Sequence, residues 1–497
     1  MLSAFTNSFK IPELRQRLLF TLAMIVVVRV GAAIPCPGVN AHVLGEFFAH
    51  VIDQQSQGSV IGMFNLFSGG ALENCALFSL GVMPYISASI MMQLLTAVVP
   101  SLSKMAREEG GRQKVSQYSR VLTLFLCLLQ GYLLAKGFEK PESIPFLKGI
   151  GDVIERLGTP LVQNPGWQFE MMAVLSLTTG TMLLMWIGEQ ITDRGIGNGI
   201  SLIITIGIVA RLPAALLQGW DMLVGKGGEK GSPFLIVLLL AFLFGVIAAT
   251  VAMTQGVRKI IVQYAKQVRG NKVYGGQSSF LPLKVNYAGV MPIIFAQAIL
   301  LFPSVIIGLL FPHNPTANSI AQSLSAGGLH YVLSALMILF FSYFWVATQF
   351  NPVQIADDLK KHGGFIPGVR PGQATSDFLD FTMTRLTLAG AIFLAALAVL
   401  PMLIQQTLKI PALTAQFFGG TSLLIMVGVV LDTMRQTETY LLQRHYDGFL
   451  KKGRLKGRSA YGAAQQGNTV GNGALIWFGV AIGLLIIAAL TITLAHQ

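Results

Sequence analysis

The chain has 497 residues, of which 53% are apolar and only 11% charged, against about 25% charged in a soluble globular protein. That composition excludes an ordinary soluble fold and marks a polytopic membrane protein. Its formal charge is +13, from 35 Lys and Arg against 22 Asp and Glu, so the placement of the cations becomes the next question.

Reading for apolar, nearly charge-free stretches of the roughly 20 residues needed to cross a bilayer places spans near 17–34, 75–99, 120–136, 169–190, 199–218, 233–254, 287–311, 329–350, 384–405 and 417–435, with an eleventh at 474–495. With the N-terminus in the cytoplasm, the inward segments hold 26 of the 35 Lys and Arg and the outward segments 8, and Arg29 lies within the first span. The positive-inside rule is obeyed. Acidic residues divide 12 inside and 10 outside, which leaves the cationic excess on the cytoplasmic face. Such a surface attracts polyanions without regard to sequence, although topology alone produces the same bias in any single loop.

Residues 1–16 are polar, with Lys10, Glu13 and Arg15 ahead of a span too long for a signal-peptide core. No cleavable export signal is expected, and this segment is expected to lie flat on the inner membrane surface. Cys36, Cys75 and Cys127 lack metal-ligand spacing. Cys36 and Cys75 both fall towards the outer side, where either pairing or ordinary apolar packing accounts for them. The forty-one mostly apolar residues from Ser59 to Val99 exceed one crossing, and SGGALEN from Ser68 interrupts them with two glycines, Glu73 and Asn74. They read as a short helix, VIGMFNLF, that enters from outside and stops, followed by a complete span. Broken backbone at membrane depth is tolerated only inside protein or beside a water-filled cavity, so a cavity holding a short element is expected. An extracellular amphipathic loop fits the same spacing. Further on, the glycines of RGIGNGIS from Arg194 make a tight turn between the fourth and fifth spans.

Two cytoplasmic connections are too long for simple turns. The first, TQGVRKIIVQYAKQVRGNKVYGGQSSFLPLKVN from Thr254, holds Arg258, Lys259, Lys266, Arg269, Lys272 and Lys284 and no acid. Apolar alternation in KIIVQYAK and the glycines at Gly275 and Gly276 predict a short hairpin turning there. The second, NPVQIADDLKKHGGFIPGVRPGQATSDFLD from Asn351, raises Arg370 between Gly368 and Pro371. A structured basic projection suits something large and anionic; a solvated charge cluster that enforces topology is the plainer alternative.

No GxxxxGK[ST] phosphate cradle and no HExxH occurs, and RGIGNGIS lacks the preceding strand of a dinucleotide site. The ionisable side chains noted within the spans, Arg29, Glu189 and Asp432, all sit near span ends. An ion-coupled transporter usually carries carboxylates near the midplane, so that class is disfavoured. No catalytic residue, metal or cofactor is expected. One phrase occurs twice: GVMPYISA from Gly81 and GVMPIIFA from Gly289 agree at six of eight positions, a pointer to internal duplication.

Taken together, IPCPGVN after the first span, MFNLFSGGAL, GVMPYISASI, YSRVLTL, GEQITDRGIGNGIS, LPLKVNYAGVMP, FNPVQIADDLKKHGGFIPGVRPG and FFGGTSLLI resemble the bacterial SecY family, the central subunit of the protein-conducting channel. The resemblance runs from about Leu14 to Arg458. It implies an all-α polytopic membrane protein of two pseudo-symmetric five-helix halves around a central pore, residues 1–218 and 219–436, with cytoplasmic loops at 255–286 and 351–383. The two copies of GVMP then fall on the second helix of each half, running in opposite directions across the pore. A plug helix at about 60–72 would include Ile61, Phe64, Asn65, Phe67, Gly69 and Gly70. The family's pore ring maps onto Val82, Ile86, Ile200, Ile204, Ile294 and Ile425. Val82 and Ile86, like Ile200 and Ile204, are four apart and share a helix face; branched apolar side chains meeting at an axis make a dry constriction that yields to a passing chain. A lateral gate falls at Gln93 and Asn286, placed to hydrogen-bond across that seam, with a simple interfacial role for Asn286 as the alternative.

The resemblance further implies a non-enzymatic conduit in the bacterial inner membrane, assembled with SecE and SecG and driven by the SecA ATPase or a docked ribosome. Signal peptides, preproteins and membrane lipids are its other partners. Arg258, Lys259 and Arg370 match the family's docking positions. The alternatives are a secondary transporter with inverted repeats and a static membrane scaffold. This chain departs from the family at its end: a basic tail and linker, 437–473, leads to an additional uncharged stretch, 474–495, long enough to span. Charge places its C-terminus outside, and Gly479 and Gly483 offer a GxxxG contact face.

Overall fold

The computed structural model describes residues 12–54, 68–108, 110–139, 141, 150–224, 233–264, 267–269, 272–274, 278–310, 314–325, 328–408, 414–415, 417 and 420–451. Each of the first ten predicted stretches contains a long helix. These are α1 (Pro12–Gly31), α3 (Met83–Val98), α5 (Gly111–Glu139), α7 (Trp167–Arg194), α8 (Gly199–Val224), α9 (Pro233–Gln255), α10 (Met291–Leu310), α12 (Gly328–Gln349), α14 (Gln373–Leu408) and α15 (Thr421–Lys451). Among the described residues five helices are long and apolar enough to cross a membrane, and a bent pair makes a sixth. That pair is α3 followed by α4 (Pro100–Arg107), turned by 104° at a break carrying Pro100, a residue that suits a first helical turn and cannot continue the preceding one. The predicted stretch at 474–495 and the plug positions Ile61, Phe64, Asn65 and Phe67 lie outside the described residues.

The boundaries differ from the expected ones for local reasons. Residues 12–16 belong to α1 and continue its helix; the rest of the segment expected to lie flat, residues 1–11, falls outside the described residues. The second helix of the expected set begins at Met83, because residues 75–82 are turns apart from Ala76, which bridges to Pro35. Besides α4, four short helices that hydropathy alone does not reveal lie between the long ones among the described residues: α2 (Ala41–Gln54), α6 (Ile150–Leu157), α11 (Pro315–Ser325) and α13 (Pro352–Lys361). The start of α13 was legible in Asn351-Pro352, since the Asn351 side chain accepts from the Gln354 N–H at 3.2 Å and proline follows at the first helical position. α2 and α6 pack together, burying Val43, Leu44, Phe47 and Phe48 with Ile150 and Val153 against Phe138 and Phe169 of α5 and α7.

The basic loop after α9 is a hairpin. Strand β1 (Val257–Tyr264) pairs antiparallel with β4 (Ser278–Lys284), with Ile261 opposite Phe280, while β2 (Gln267–Arg269) pairs with β3 (Lys272–Tyr274). The chain therefore reverses between the paired Arg269 and Lys272, ahead of Gly275 and Gly276, where the turn was expected. A second loop joins the same sheet: β5 (Gly364–Phe365) pairs with the other edge of β1, giving the order β4-β1-β5. Ile260 and Val262 alternate inward with Leu283, Ile366, Leu379 and Phe350, one small core beneath both loops.

Packing between the long helices cannot draw on water exclusion within a bilayer, because lipid tails are as apolar as leucine; close van der Waals contact does that work. The glycines follow this demand. A Cβ on Gly199 of α8 would stand 1.9 Å from the Gly188 carbonyl oxygen of α7, so these two helices touch backbone to backbone. The Arg194–Asn198 turn that joins them is held by three elements. Ile196 N–H donates to Thr21 of α1, Gly197 N–H to Gln436 of α15, and Ser201 N–H to Asn198 at the start of α8.

Candidate functional site

The phrase repeated in the sequence is a repeated junction. Gly81 and Gly289 have φ of +58° and +65°, the left-handed region that glycine enters without penalty. Two residues later a helix starts, α3 at Met83 and α10 at Met291, each with proline in its first turn, where the missing N–H costs nothing. Ahead of the second junction, Asn286 is buried and donates through Nδ2 to the Gly289 carbonyl at 3.2 Å.

All six predicted ring residues reach one apolar cluster. Val82, Ile86, Ile204, Ile294 and Ile425 are 4–9% exposed members of it, and Ile200 packs against it half-buried. Val82 is the residue before α3 rather than within it, yet its carbonyl accepts from Ile86 N–H at 3.1 Å, so the four-residue spacing still stacks the two side chains on one face. Met83, Val290 and Met291, from the two junctions, pack on the same cluster. Phe295 backs it: its ring stacks on Phe341 at 5.3 Å and lies 5.5 Å from Trp345, fixing α10 against α12.

Above Gly81 lies the described end of the predicted plug. Ser68, Gly69 and Gly70 form turns, and Gly69 and Gly70 are buried with φ of +66° and +88°. A Cβ on Gly81 would lie 3.6 Å from Ser68 Cα, so this foot stands over the residue that precedes Val82. On its flanks are two arginines. Arg29 of α1 donates through Nη1 to the Gly69 carbonyl at 3.0 Å, and Arg211 of α8 forms an ion pair with Glu73. Arg211 lies within the predicted span 199–218, and the sequence reading passed over it; a charge in an apolar run is itself the signal. Most of the residues from Ala71 to Val82 are buried, Asn74 being exposed, and Ser79 Oγ donates to the Ala71 carbonyl at 3.0 Å. Non-helical backbone is here enclosed by protein, as it must be at membrane depth.

The other expected positions fall elsewhere. Gln93 is exposed on α3 and its amide donates to Ser89 Oγ one turn back at 3.4 Å. Since Asn286 bonds Gly289, the two make local bonds rather than one across the seam. Arg258 and Lys259 are exposed on β1, and Arg370 is exposed in the turn after β5, so the shared sheet brings both basic loops to one end of the bundle. Glu189 pairs with Arg120 at 2.9 Å. The three cysteines are free and buried; burial pushes the Cys36 thiol up to about 11. Among the described residues no group of His, Cys, Asp or Glu is arranged to hold a metal.

The SecY family model matches residues 76–434. Curated relatives, each described as "Protein translocase subunit SecY", include those of Chlamydia trachomatis, 43% identical over 90% of this chain and 98% of the relative; Escherichia coli K12, 45% identical over 90% and 96%; and Thermotoga maritima, 40% identical over 92% and 100%. Among solved structures, the fold is similar to one described as "The structure of a protein conducting channel", with a TM-score of 0.58 and 19% identity over 87% of this chain and 96% of that one. It is also similar to "Sec61 in the Canine ribosome-channel complex from the endoplasmic reticulum", with a TM-score of 0.54 and 18% identity over the same shares. Those two likenesses speak for the fold, whereas the curated relatives match nearly end to end at identities that settle descent: this chain belongs to the SecY family.

Proposed function

We propose that the chain is the channel subunit through which unfolded preproteins cross the bacterial inner membrane and from which transmembrane segments pass sideways into lipid. The observation that carries this is the convergence of Val82, Ile86, Ile200, Ile204, Ile294 and Ile425, from four separate elements, on one apolar cluster beneath a buried turn. Branched side chains at such a point exclude water and ions, yet part around a passing chain because dispersion contacts are individually weak. On this reading residues 1–218 and 219–436 are the halves of the clamp, residues 60–72 the plug, and Gln93 and Asn286 flank the lateral gate. The hairpin end faces the cytoplasm. The stretch 474–495 is an added span with its C-terminus outside, resting on the exterior of the clamp or on an accessory subunit.

The chain works without chemistry of its own. SecE and SecG complete the complex, and energy comes from the SecA ATPase or a translating ribosome seated on Arg258, Lys259 and Arg370. The deciding experiment measures SecA-dependent transport of a preprotein into vesicles bearing the full complex, alongside proton- or sodium-driven uptake of small solutes. Preprotein transport without solute uptake is expected. Uptake without preprotein transport would instead establish a secondary transporter.

A further inference from the structure

The plug's foot is fixed by charges that the apolar ring does not need. Along α8, Ile204 and Arg211 are seven residues apart and so lie on one face, about 10 Å apart along the axis. The foot occupies the space between. A Cβ on Gly69 would stand 2.7 Å from Gly207 Cα and 3.0 Å from Arg29 Nη1, and one on Gly70 would meet the Arg211 guanidinium at 2.9 Å. Two glycines in left-handed geometry let the chain pass this close to α1 and α8. Arg29 then holds the backbone through the Gly69 carbonyl, and Arg211 holds the side chain of Glu73, four residues on. The Arg211 side chain is 13% exposed and that of Glu73 27%, so the pair is largely withdrawn from water and parting it costs more than parting an exposed pair.

We propose that Arg29 and Arg211 form a latch that positions the plug's foot over the ring, and that parting of the Arg211–Glu73 pair sets the threshold for opening. The proposal rests on the channel reading above. A plug tethered at its foot by an ion pair has two arrangements, bonded and released, and any partner that shifts the balance must supply the difference.

The test is a charge swap in the full-length chain, assembled with its membrane subunits in planar bilayers: Arg211→Glu, Glu73→Arg and the double variant. Each single variant is expected to raise the resting ion conductance by roughly tenfold, corresponding to about 1.4 kcal/mol in the closed-to-open balance, and the double variant to return most of the way to the parent level. Conductance is taken per inserted complex, since a role in folding alone would change the amount in the membrane and leave the conductance of each channel at the parent level. Should the single reversals fail to accumulate in the membrane, the neutral variants Glu73→Gln and Arg211→Gln remove one charge of the pair each and are expected to leak in the same direction. Single variants as tight as the parent, or a double variant as leaky as the singles, would overturn the latch. The Ile86, Ile204 and Ile294 triple serine variant separates this from failure of the channel reading: it leaks if the ring is the seal, whatever the latch does. Silence from that variant together with no preprotein transport by the parent would sink both.

Discussion

Gly199→Ala tests the crossing that sets the ring's first position on α8. The new Cβ would be 1.9 Å from the Gly188 carbonyl oxygen and 2.8 Å from Ile191 Cβ. Real contacts of this kind stay beyond about 3 Å, so α7 and α8 must separate by roughly 1 Å, and overpacking of that order costs about 1–3 kcal/mol. Gly245 of α9 is the control, since a Cβ there meets nothing within 4 Å and alanine in a helix interior gains up to about 1 kcal/mol over glycine. In detergent-solubilised full-length protein, the apparent melting temperature should fall for Gly199→Ala and hold or rise for Gly245→Ala. Ile200 follows Gly199 directly, and its Cγ1 would lie 2.9 Å from a Cβ on Gly188, so the same displacement carries Ile200 away from the cluster and the resting conductance should rise. Parental melting and parental conductance in Gly199→Ala would refute the backbone-to-backbone crossing and its link to the ring.

Replacing Ile86, Ile204 and Ile294 together with serine should make the resting protein conduct ions in planar bilayers, because hydroxyls wet a constriction that branched hydrocarbon keeps dry; unchanged conductance would remove the ring. Arg370→Glu should abolish most SecA-driven transport while the protein inserts normally, read by vesicle transport against membrane abundance; equal loss of both would leave the residue a topological role alone. Maleimide labelling of Cys36 should be slow at pH 8 and accelerate up to about pH 11, since the thiolate is the nucleophile and burial raises the thiol from 9.0 to about 11. At pH 8 the thiolate fraction is about a hundredfold below that of an unperturbed thiol, and labelling at the rate of a free thiol there would show that Cys36 is not buried.

Much of the architecture was legible because the bilayer imposes a strong rule: each long apolar run had to become a helix, and each of the first ten did. The meeting of the six expected ring positions in one cluster was legible through four-residue spacing within α8 and through the family resemblance across elements, since periodicity says nothing about which helices meet. What stayed hidden depends on contacts distant in sequence. The pairing of β5 with β1 joins residues about a hundred positions apart, and no local pattern in Gly364-Phe365 announces it. The short helices α2 and α6 are too brief to stand out by hydropathy, and they are fixed by each other and by Phe138 and Phe169. Arg211 was visible as a letter but had no meaning until α8 brought it beside Glu73. Asn286 and Gln93 look like partners across a seam, yet each finds a nearer one, because a local hydrogen bond requires no ordering of a second element.

The duplicated GVMP junction has a consequence beyond starting two helices. Val82, Met83 and Ile86 from one copy and Val290, Met291 and Ile294 from the other all reach the same apolar cluster, so two stretches of one chain meet with corresponding residues on both sides. That is the logic of an isologous interface in a two-fold dimer, where one surface serves as its own complement, written here into a single polypeptide. In a true dimer every substitution is made twice, and a change of volume is doubled at the contact. Here the copies mutate singly, and Tyr85 can differ from Ile293 and Ser87 from Phe295. A junction written twice in one chain lets each side adjust on its own while the glycine, the proline and the first contacting side chains keep the shape they share.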